Sequence, residues 1–74
     1  MTTDKRTEAR AWAEAWPVGT QGEYYLGHRF GWRPVTVVGI EWTRGWPSLE
    51  LSWEKGTVYC KFGRRRDLAK IIEG

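Results

Sequence analysis

The sequence is poor in the residues that cross-link a small domain or carry most enzyme chemistry. Its 74 residues include one cysteine, one histidine and one methionine. An internal disulfide is therefore excluded, as is a Cys/His set that could hold a structural metal. The length also excludes a second domain and a dinucleotide-binding unit. Stability must come from a small apolar core or from self-association, and six tryptophans and five other aromatic residues supply large side chains for it.

The sequence also lacks a long apolar run. No stretch approaches the roughly 20 residues that a membrane-spanning helix needs. The first residues lead into no apolar segment of signal-peptide length. A lone cysteine, Cys60, agrees with a reducing compartment. We therefore expect a soluble, cytoplasmic protein that uses no metal or cofactor.

Excess positive charge is concentrated in the last twenty residues. The chain carries 12 Lys and Arg against 9 Asp and Glu, and residues 55–74 hold six positive charges against two negative ones. Arginine donates hydrogen bonds in a fork to phosphate or carboxylate and stays charged. The basic run is either a solvated corner, partly balanced by Asp67, or an anion-contacting patch. The candidate patch consists of Lys61, Arg64, Arg65, Arg66 and Lys70.

The first segment predicts an amphipathic helix over Lys5–Trp16. It is rich in Ala, Glu and Arg, which favour helices. Asp4 or Thr3 can cap its start, and Pro17 ends it. The helix either covers the remaining domain with its apolar stripe, or presents Trp12 and Trp16 as a docking face for a partner or a second copy. The stripe consists of Ala9, Trp12, Ala13 and Trp16.

From Val18 onward, glycines separate short runs of Val, Ile, Tyr, Trp and Thr, a pattern typical of a small antiparallel sandwich or barrel. We divide the chain into a helical segment, residues 1–17, and a small β domain, residues 18–74. A helical turn near Arg65–Leu68 precedes Ala69–Ile72, which fits a last strand or a terminal helix. The other strands are predicted at Glu23–Phe30, Pro34–Trp42, Ser48–Trp53 and Thr57–Phe62.

The third and fourth of these strands predict one hairpin. Apolar and polar residues alternate in both, so each strand has one buried face. A two-residue loop at Lys55-Gly56 predicts that Leu51 lies opposite Cys60 and Glu50 opposite Lys61. On this alternation Cys60 faces the core, and Tyr59 points outward.

Four or five short strands, a tight hairpin after the third and a helical turn before Ile71-Ile72 resemble an SH3-like small barrel over about Val18 to Ile72. The stretch Val35-Thr36-Val37-Val38-Gly39 resembles KOW and Tudor relatives, although its glycine spacing departs from the usual KOW pattern. Such barrels serve mainly as binding modules for nucleic acid, peptides or proteins, so the resemblance implies a binding role. In size and style the chain is also similar to small phage or mobile-element accessory proteins, which often block a host enzyme or defence complex.

Residues that could carry catalysis form no constellation. Cys60 is predicted in the core, where cysteine is usually an inert small hydrophobe. His28 lies in a predicted strand and fits a structural role. The glutamates fall on separate strands or strand ends, and no phosphate-binding glycine loop is present. We therefore predict a protein that is not an enzyme.

Aromatic residues outside the predicted core are the second candidate feature. Trp32 and Trp46 are predicted in loops, where they either cap the barrel or bind a ligand. Interleaved with Arg33 and Arg44, they and the outward-facing Tyr59 are suited to stacking on bases or to forming the hot spots of a protein interface.

We predict a non-enzymatic small-barrel module that binds nucleic acid through the C-terminal arginine patch and nearby exposed aromatic residues. The alternative is a protein-binding module or inhibitor whose partner is an acidic host protein. A homo-oligomer with its site between subunits is a third interpretation.

Overall fold

The computed structural model describes residues 4–71 and places one helix before an antiparallel sheet. The elements are α1 Lys5–Glu14, β1 Gln21–Tyr25, β2 Trp32–Thr43, β3 Trp46–Trp53, β4 Gly56–Lys61, the 3-10 helix Phe62–Asp67 and β5 Leu68–Lys70. The sheet has the strand order β4-β3-β2-β1-β5, and the 3-10 helix joins β4 to β5. The predicted mainly β fold with an N-terminal helix and a C-terminal helical turn is confirmed. Nowhere in residues 4–71 is a helix long and apolar enough to cross a membrane.

Helix α1 begins where its capping residue predicts. The side chain of Asp4 accepts a hydrogen bond from the backbone N–H of Arg6 at 3.2 Å, which satisfies one free donor of the first turn. The helix ends at Glu14, two residues before the predicted Trp16. Proline disfavours a helical conformation in the residue before it, so the ending close to Pro17 follows from the sequence.

The apolar stripe of α1 lies against the sheet. Ala9 and Ala13 are buried, and Trp16 is only 6% exposed. The Trp16 ring packs on Gly22, where an added Cβ would lie 2.7 Å from it, so the absence of a side chain there makes room for the ring. Trp16 thereby belongs to the same core as the strands. The core residues are Trp16, Tyr24, Val35, Val37, Leu49, Leu51, Cys60 and Leu68.

Strand β1 ends at Tyr25, five residues before the predicted end at Phe30. Gly27 and Gly31 have φ values of 87° and 67°, which interrupt an extended strand. The Gly31 N–H donates to the Gly27 carbonyl at 2.7 Å and closes the loop.

Two other sequence predictions concern strand ends. Trp32 and Trp46 are the first residues of β2 and β3, so their predicted placement in loops is wrong. The segment after the helical turn is the strand Leu68–Lys70, which pairs with β1 and excludes the terminal-helix interpretation for these residues. Ile72, the predicted last strand residue, lies outside the described residues.

Strand β2 contains a bulge that changes which side chains face the core. Val37 pairs with Leu51 and Gly39 with Glu50, so Val38 is the extra residue. Beyond the bulge, Ile40 pairs with Leu49 and therefore shares the core-facing side of the sheet. The next residue on that side, Trp42, pairs with the fully buried Pro47 but is itself 49% exposed.

The β3–β4 hairpin has the predicted faces and a different register. Its turn is Glu54-Lys55, so Leu51 pairs with Val58 and Leu49 with Cys60. The predicted pairing of Leu51 with Cys60 is therefore wrong by two residues. A shift of two preserves the alternation, because side chains change face at every residue. Cys60 is fully buried and Tyr59 is exposed, as predicted.

The predicted pairing of Glu50 with Lys61 fails for the same reason. Lys61 lies opposite Ser48, and Tyr59 lies opposite Glu50. The Tyr59 hydroxyl donates to Glu50 Oε1 at 3.1 Å, so a hydrogen bond replaces the predicted ion pair.

Candidate functional site

An open groove of about 870 Å³ lies beside the turn that joins β2 to β3. Four parts of the chain line it: the first turn of α1, the paired ends of β2 and β3, the end of β4 and the 3-10 helix. We call this hollow the basic groove.

Positive charge dominates the lining of the basic groove. Within the part of the chain that the structure describes, no carboxylate contributes to it. Like charges that converge on a concave surface raise the local potential and concentrate anions there. The five cationic lining residues are Lys5, Arg44, Lys61, Arg64 and Arg65.

Arg44 is presented by a turn that requires an unusual backbone. Arg44 and Gly45 have φ values of 54° and 83°, as both central residues of a type I′ hairpin turn require. Arginine tolerates this left-handed region poorly, at a cost of roughly 1–2 kcal/mol. The turn places the Arg44 side chain at the rim of the groove.

The 3-10 helix separates the three consecutive arginines. Arg64 donates from Nε to Asp67 Oδ2 at 2.8 Å, yet its side chain remains 63% exposed. This hydrogen bond raises the pKa of Arg64 above its ordinary value. The Arg65 guanidinium lies 4.0 Å from the Phe62 ring centroid and donates to the Phe62 carbonyl at 3.1 Å. Arg66 is exposed but does not line the groove, because successive residues of a tight helix point in different directions.

Two aromatic rings form the floor of the groove. Phe62 is buried, and its ring centroid lies 5.9 Å from that of Trp46 in a stacked arrangement. Trp12 of α1 packs edge-on against Phe62 at 5.7 Å. The predicted docking residue Trp12 thus supports the floor, while Trp46 keeps 38% of its surface exposed.

Negative side chains border the groove along the outer face of the sheet. Glu41 lies opposite Ser48, which lines the groove, and Glu50 lies opposite Tyr59. The hydrogen bond to Glu50 and that residue's charge raise the pKa of Tyr59. An anionic ligand in the groove is therefore repelled from this side and attracted towards the turn and the 3-10 helix.

The structure brings together only part of the predicted binding set. Tyr59 lies on the acidic border, and Trp32 packs against Tyr25 at 5.6 Å. Arg33 donates to the Phe30 carbonyl at 3.0 Å at the other end of β2, and Lys70 lies 5.5 Å from the ring of the buried Trp16. The predicted residues that meet in the groove are Arg44, Trp46, Lys61, Arg64 and Arg65.

Two residues of the groove, Lys5 and Phe62, are absent from the binding set that the sequence predicts. The sequence predicts Lys5 only as the first residue of the helix, and no pattern in it indicates that α1 lies beside the β2–β3 turn. Phe62 is the last residue of a predicted strand, but the strand ends at Lys61 and Phe62 begins the 3-10 helix. Its spacing next to Arg64 and Arg65 could have indicated an arginine–aromatic contact.

The environments of Cys60 and His28 do not favour nucleophilic catalysis. Cys60 is buried, burial raises its thiol pKa to about 11, and its Sγ lies 3.7 Å from the Arg64 carbonyl. The thiol is therefore protonated near neutral pH. His28 is exposed in the loop between β1 and β2.

In comparisons with family models, with curated proteins and with solved structures, nothing matches this chain.

Proposed function

We propose that the protein is a non-enzymatic small-barrel binding module and that the basic groove binds nucleic acid. One observation carries the proposal: five cationic side chains converge on an open, aromatic-floored groove that no described carboxylate lines. Phosphates are the repeated anions that such a set contacts, and these contacts supply most of the affinity of sequence-independent binding.

The groove residues divide into two roles under this proposal. The lysines and arginines contact phosphates, with Arg64 held in place by Asp67. Trp46 contacts a sugar or a base through its exposed surface, since an aromatic ring accepts any base as a stacking partner. Sequence-independent binding follows from this division, because neither role depends on reading base edges.

The fold supports a binding role more than a catalytic one. The antiparallel sheet and the 3-10 helix before β5 agree with the proposed SH3-like barrel, whose members mainly bind nucleic acid, peptides or proteins. The buried, protonated Cys60 and the exposed loop position of His28 also support a non-enzymatic function.

The proposal is tested by the salt dependence of oligonucleotide binding. In the double variant Lys5→Gln and Lys61→Gln, two exposed groove cations become neutral, and glutamine is a good helix former at position 5. Each lost phosphate contact lowers the slope of log affinity against log salt by roughly 0.7–0.9. We expect the slope to fall by about 1.4–1.8, measured by fluorescence anisotropy with labelled mixed-sequence single and double strands.

The matched control removes two cations from the other end of the sheet. Arg29 and Lys55 lie beside the Phe30 ring and outside the groove. Arg29→Gln with Lys55→Gln changes the net charge equally, so a slope that falls as much in this control would contradict a localised site.

Exposed tryptophans favour a second candidate, a protein-binding module or inhibitor of the kind that phages and mobile elements encode. Trp46 and Trp42 are exposed on the two sides of the β2–β3 hairpin, and exposed tryptophans are common binding hot spots. This candidate predicts no oligonucleotide binding even at low salt. Binding to a partner protein held by tryptophan contacts would then depend weakly on salt and be lost in Trp46→Ala.

A further inference from the structure

A second, smaller hollow lies on the opposite side of the β2–β3 turn. It measures about 290 Å³ and is lined by Arg6, Arg10, Trp42 and Gly45. Arg6 and Arg10 are one helical turn apart, so their side chains are neighbours on the surface of α1. Trp42 contributes a half-exposed ring. Like the basic groove, this hollow combines cations with an exposed aromatic side chain.

The two hollows meet at one two-residue turn. Thr43 and Arg44 line the basic groove, whereas Trp42 and Gly45 line the second hollow. Because these lining residues are consecutive in the chain, the two hollows adjoin at the turn. Arg6 connects them, because its guanidinium lies 5.9 Å from the Trp46 ring centroid while the side chain lines the second hollow.

Charge directs an anionic chain along this route. The outer face of the sheet next to the groove carries Glu41 and Glu50, which repel phosphates. The route over the turn leads instead to Arg6 and Arg10. Within residues 4–71 neither arginine is within 4.0 Å of a carboxylate, so both remain available to a phosphate.

We propose, on the basis of the proposed function, that the nucleic acid is single-stranded and passes from the basic groove over the Arg44-Gly45 turn into the second hollow. There Arg6 and Arg10 contact its phosphates, and one base stacks on Trp42. The helix α1 is then part of the binding surface as well as a cover for the core.

The sharpness of the turn selects against a duplex. Double-stranded DNA has a persistence length of about 150 base pairs, and bending it around a two-residue turn is costly. A single strand follows such a path freely, and only unpaired bases can stack on Trp42. Trp42 and Trp46 lie on opposite faces of the hairpin, so two bases on either side of the turn can each meet a ring.

The test uses the double variant Arg6→Gln and Arg10→Gln, in which a good helix former replaces each arginine. Probes are oligothymidylates of roughly 4 and roughly 12 nucleotides, lengths that span the usual site sizes of small barrels, and a duplex of the longer length. For the longer single strand we expect the salt slope to fall by about 1.4. For the shorter strand, which the basic groove accommodates alone, we expect little change.

Trp42 supplies the second arm of the test. We expect Trp42→Ala to weaken binding of the longer single strand by about 5- to 150-fold, the range that corresponds to loss of a base-stacking ring. Trp42→Leu keeps an apolar side chain in the strand and removes the aromatic face, so it must weaken binding similarly even if Trp42→Ala folds poorly. Arg29→Gln with Lys55→Gln is again the charge-matched control.

The outcomes distinguish this inference from the proposed function. Suppose that the wild type binds oligonucleotides and that only Lys5→Gln with Lys61→Gln weakens binding. The basic groove is then still the binding site, and the proposed path over the turn (the crossing route) is wrong. Equal or tighter binding of the duplex also overturns the crossing route. Absence of binding by the wild type to every probe at low salt overturns both.

Discussion

The two ends of β2 carry similar side chains and arrange them differently. At the β2–β3 end, five cations surround an open groove with an aromatic floor. At the β1–β2 end, Phe30 packs edge-on against Trp53 with ring centroids 5.5 Å apart. Arg29 and Lys55 lie 5.6 Å and 5.8 Å from the Phe30 centroid and cover that ring.

This difference shows that arginine beside an aromatic residue is no guide to a binding site by itself. At the β1–β2 end the cations lie over a ring that also packs against Trp53, and each contact contributes about 0.5–1 kcal/mol to stability. At the β2–β3 end the Trp46 ring remains partly exposed, although Arg6 lies 5.9 Å from its centroid. The β2–β3 end differs by its open space and by the absence of lining carboxylates among the described residues.

We expect the largest effect from Cys60→Asp, a variant that disrupts the core beneath both ends of β2. Cys60→Asp places a carboxyl group where the side chain is fully buried, and no cation in that core can pair with it. The cost, several kcal/mol, is comparable to the total stability of roughly 4–11 kcal/mol expected for a chain of this length. We expect loss of the cooperative thermal transition, measured by circular dichroism.

The matched control for this variant is Thr57→Asp, which adds the same charge on the exposed face of the same strand. It should change stability by no more than about 0.5 kcal/mol. A cooperative Cys60→Asp melt close to that of Thr57→Asp would show that the inward placement of Cys60 is wrong.

A smaller effect tests how much the packing of Trp16 on the sheet stabilises the fold. Trp16→Ala removes the ring that packs on Gly22, and we expect a loss of about 3 kcal/mol in the free energy of unfolding. Trp32→Ala, at the β1–β2 end, should cost about 1 kcal/mol or less because that ring is half-exposed. Chemical denaturation measures both. A wild-type dimer that Trp16→Ala dissociates without a loss of stability would favour the docking-face interpretation instead.

We expect the smallest effect from a variant of the Arg44-Gly45 turn that changes stability and binding in opposite directions. Arg44→Asn creates an Asn-Gly pair, which the type I′ turn prefers, so stability should rise by up to about 1 kcal/mol. The same change removes one groove cation and should lower the salt slope for oligonucleotides by roughly 0.7–0.9. Increased stability with an unchanged slope would show that Arg44 contacts no phosphate.

Local patterns predicted the elements of the sheet better than their pairing. Alternation in β3 and β4 correctly assigned Cys60 to the core and Tyr59 to the surface. The register was wrong because a shift of two residues buries the same side chains, so alternation cannot choose between the two pairings. The turn Glu54-Lys55 decides the register, and Gly56 follows it with a φ of 131°.

The candidate site was predictable only where its residues are close in the sequence. The basic run near the C-terminus led to Arg64 and Arg65, and both line the groove. The run also predicted Arg66. A run of charged residues does not show where each side chain points, so it cannot indicate which arginines of the 3-10 helix line the groove. Lys5 was missed because its distance from Lys61 is short only after α1 has packed on the sheet.

Several properties of this protein are determined by short stretches of sequence. Asp4 begins the helix, Pro17 confines it, and glycine at positions 27 and 31 ends β1, because caps and backbone angles depend on neighbouring residues only. The shape of the basic groove was decided by the tertiary structure. Packing of α1 and the pairing of β2 with β3 bring Lys5, Arg44 and Lys61 together, and contacts between residues so distant in the chain depend on how the whole domain buries its core.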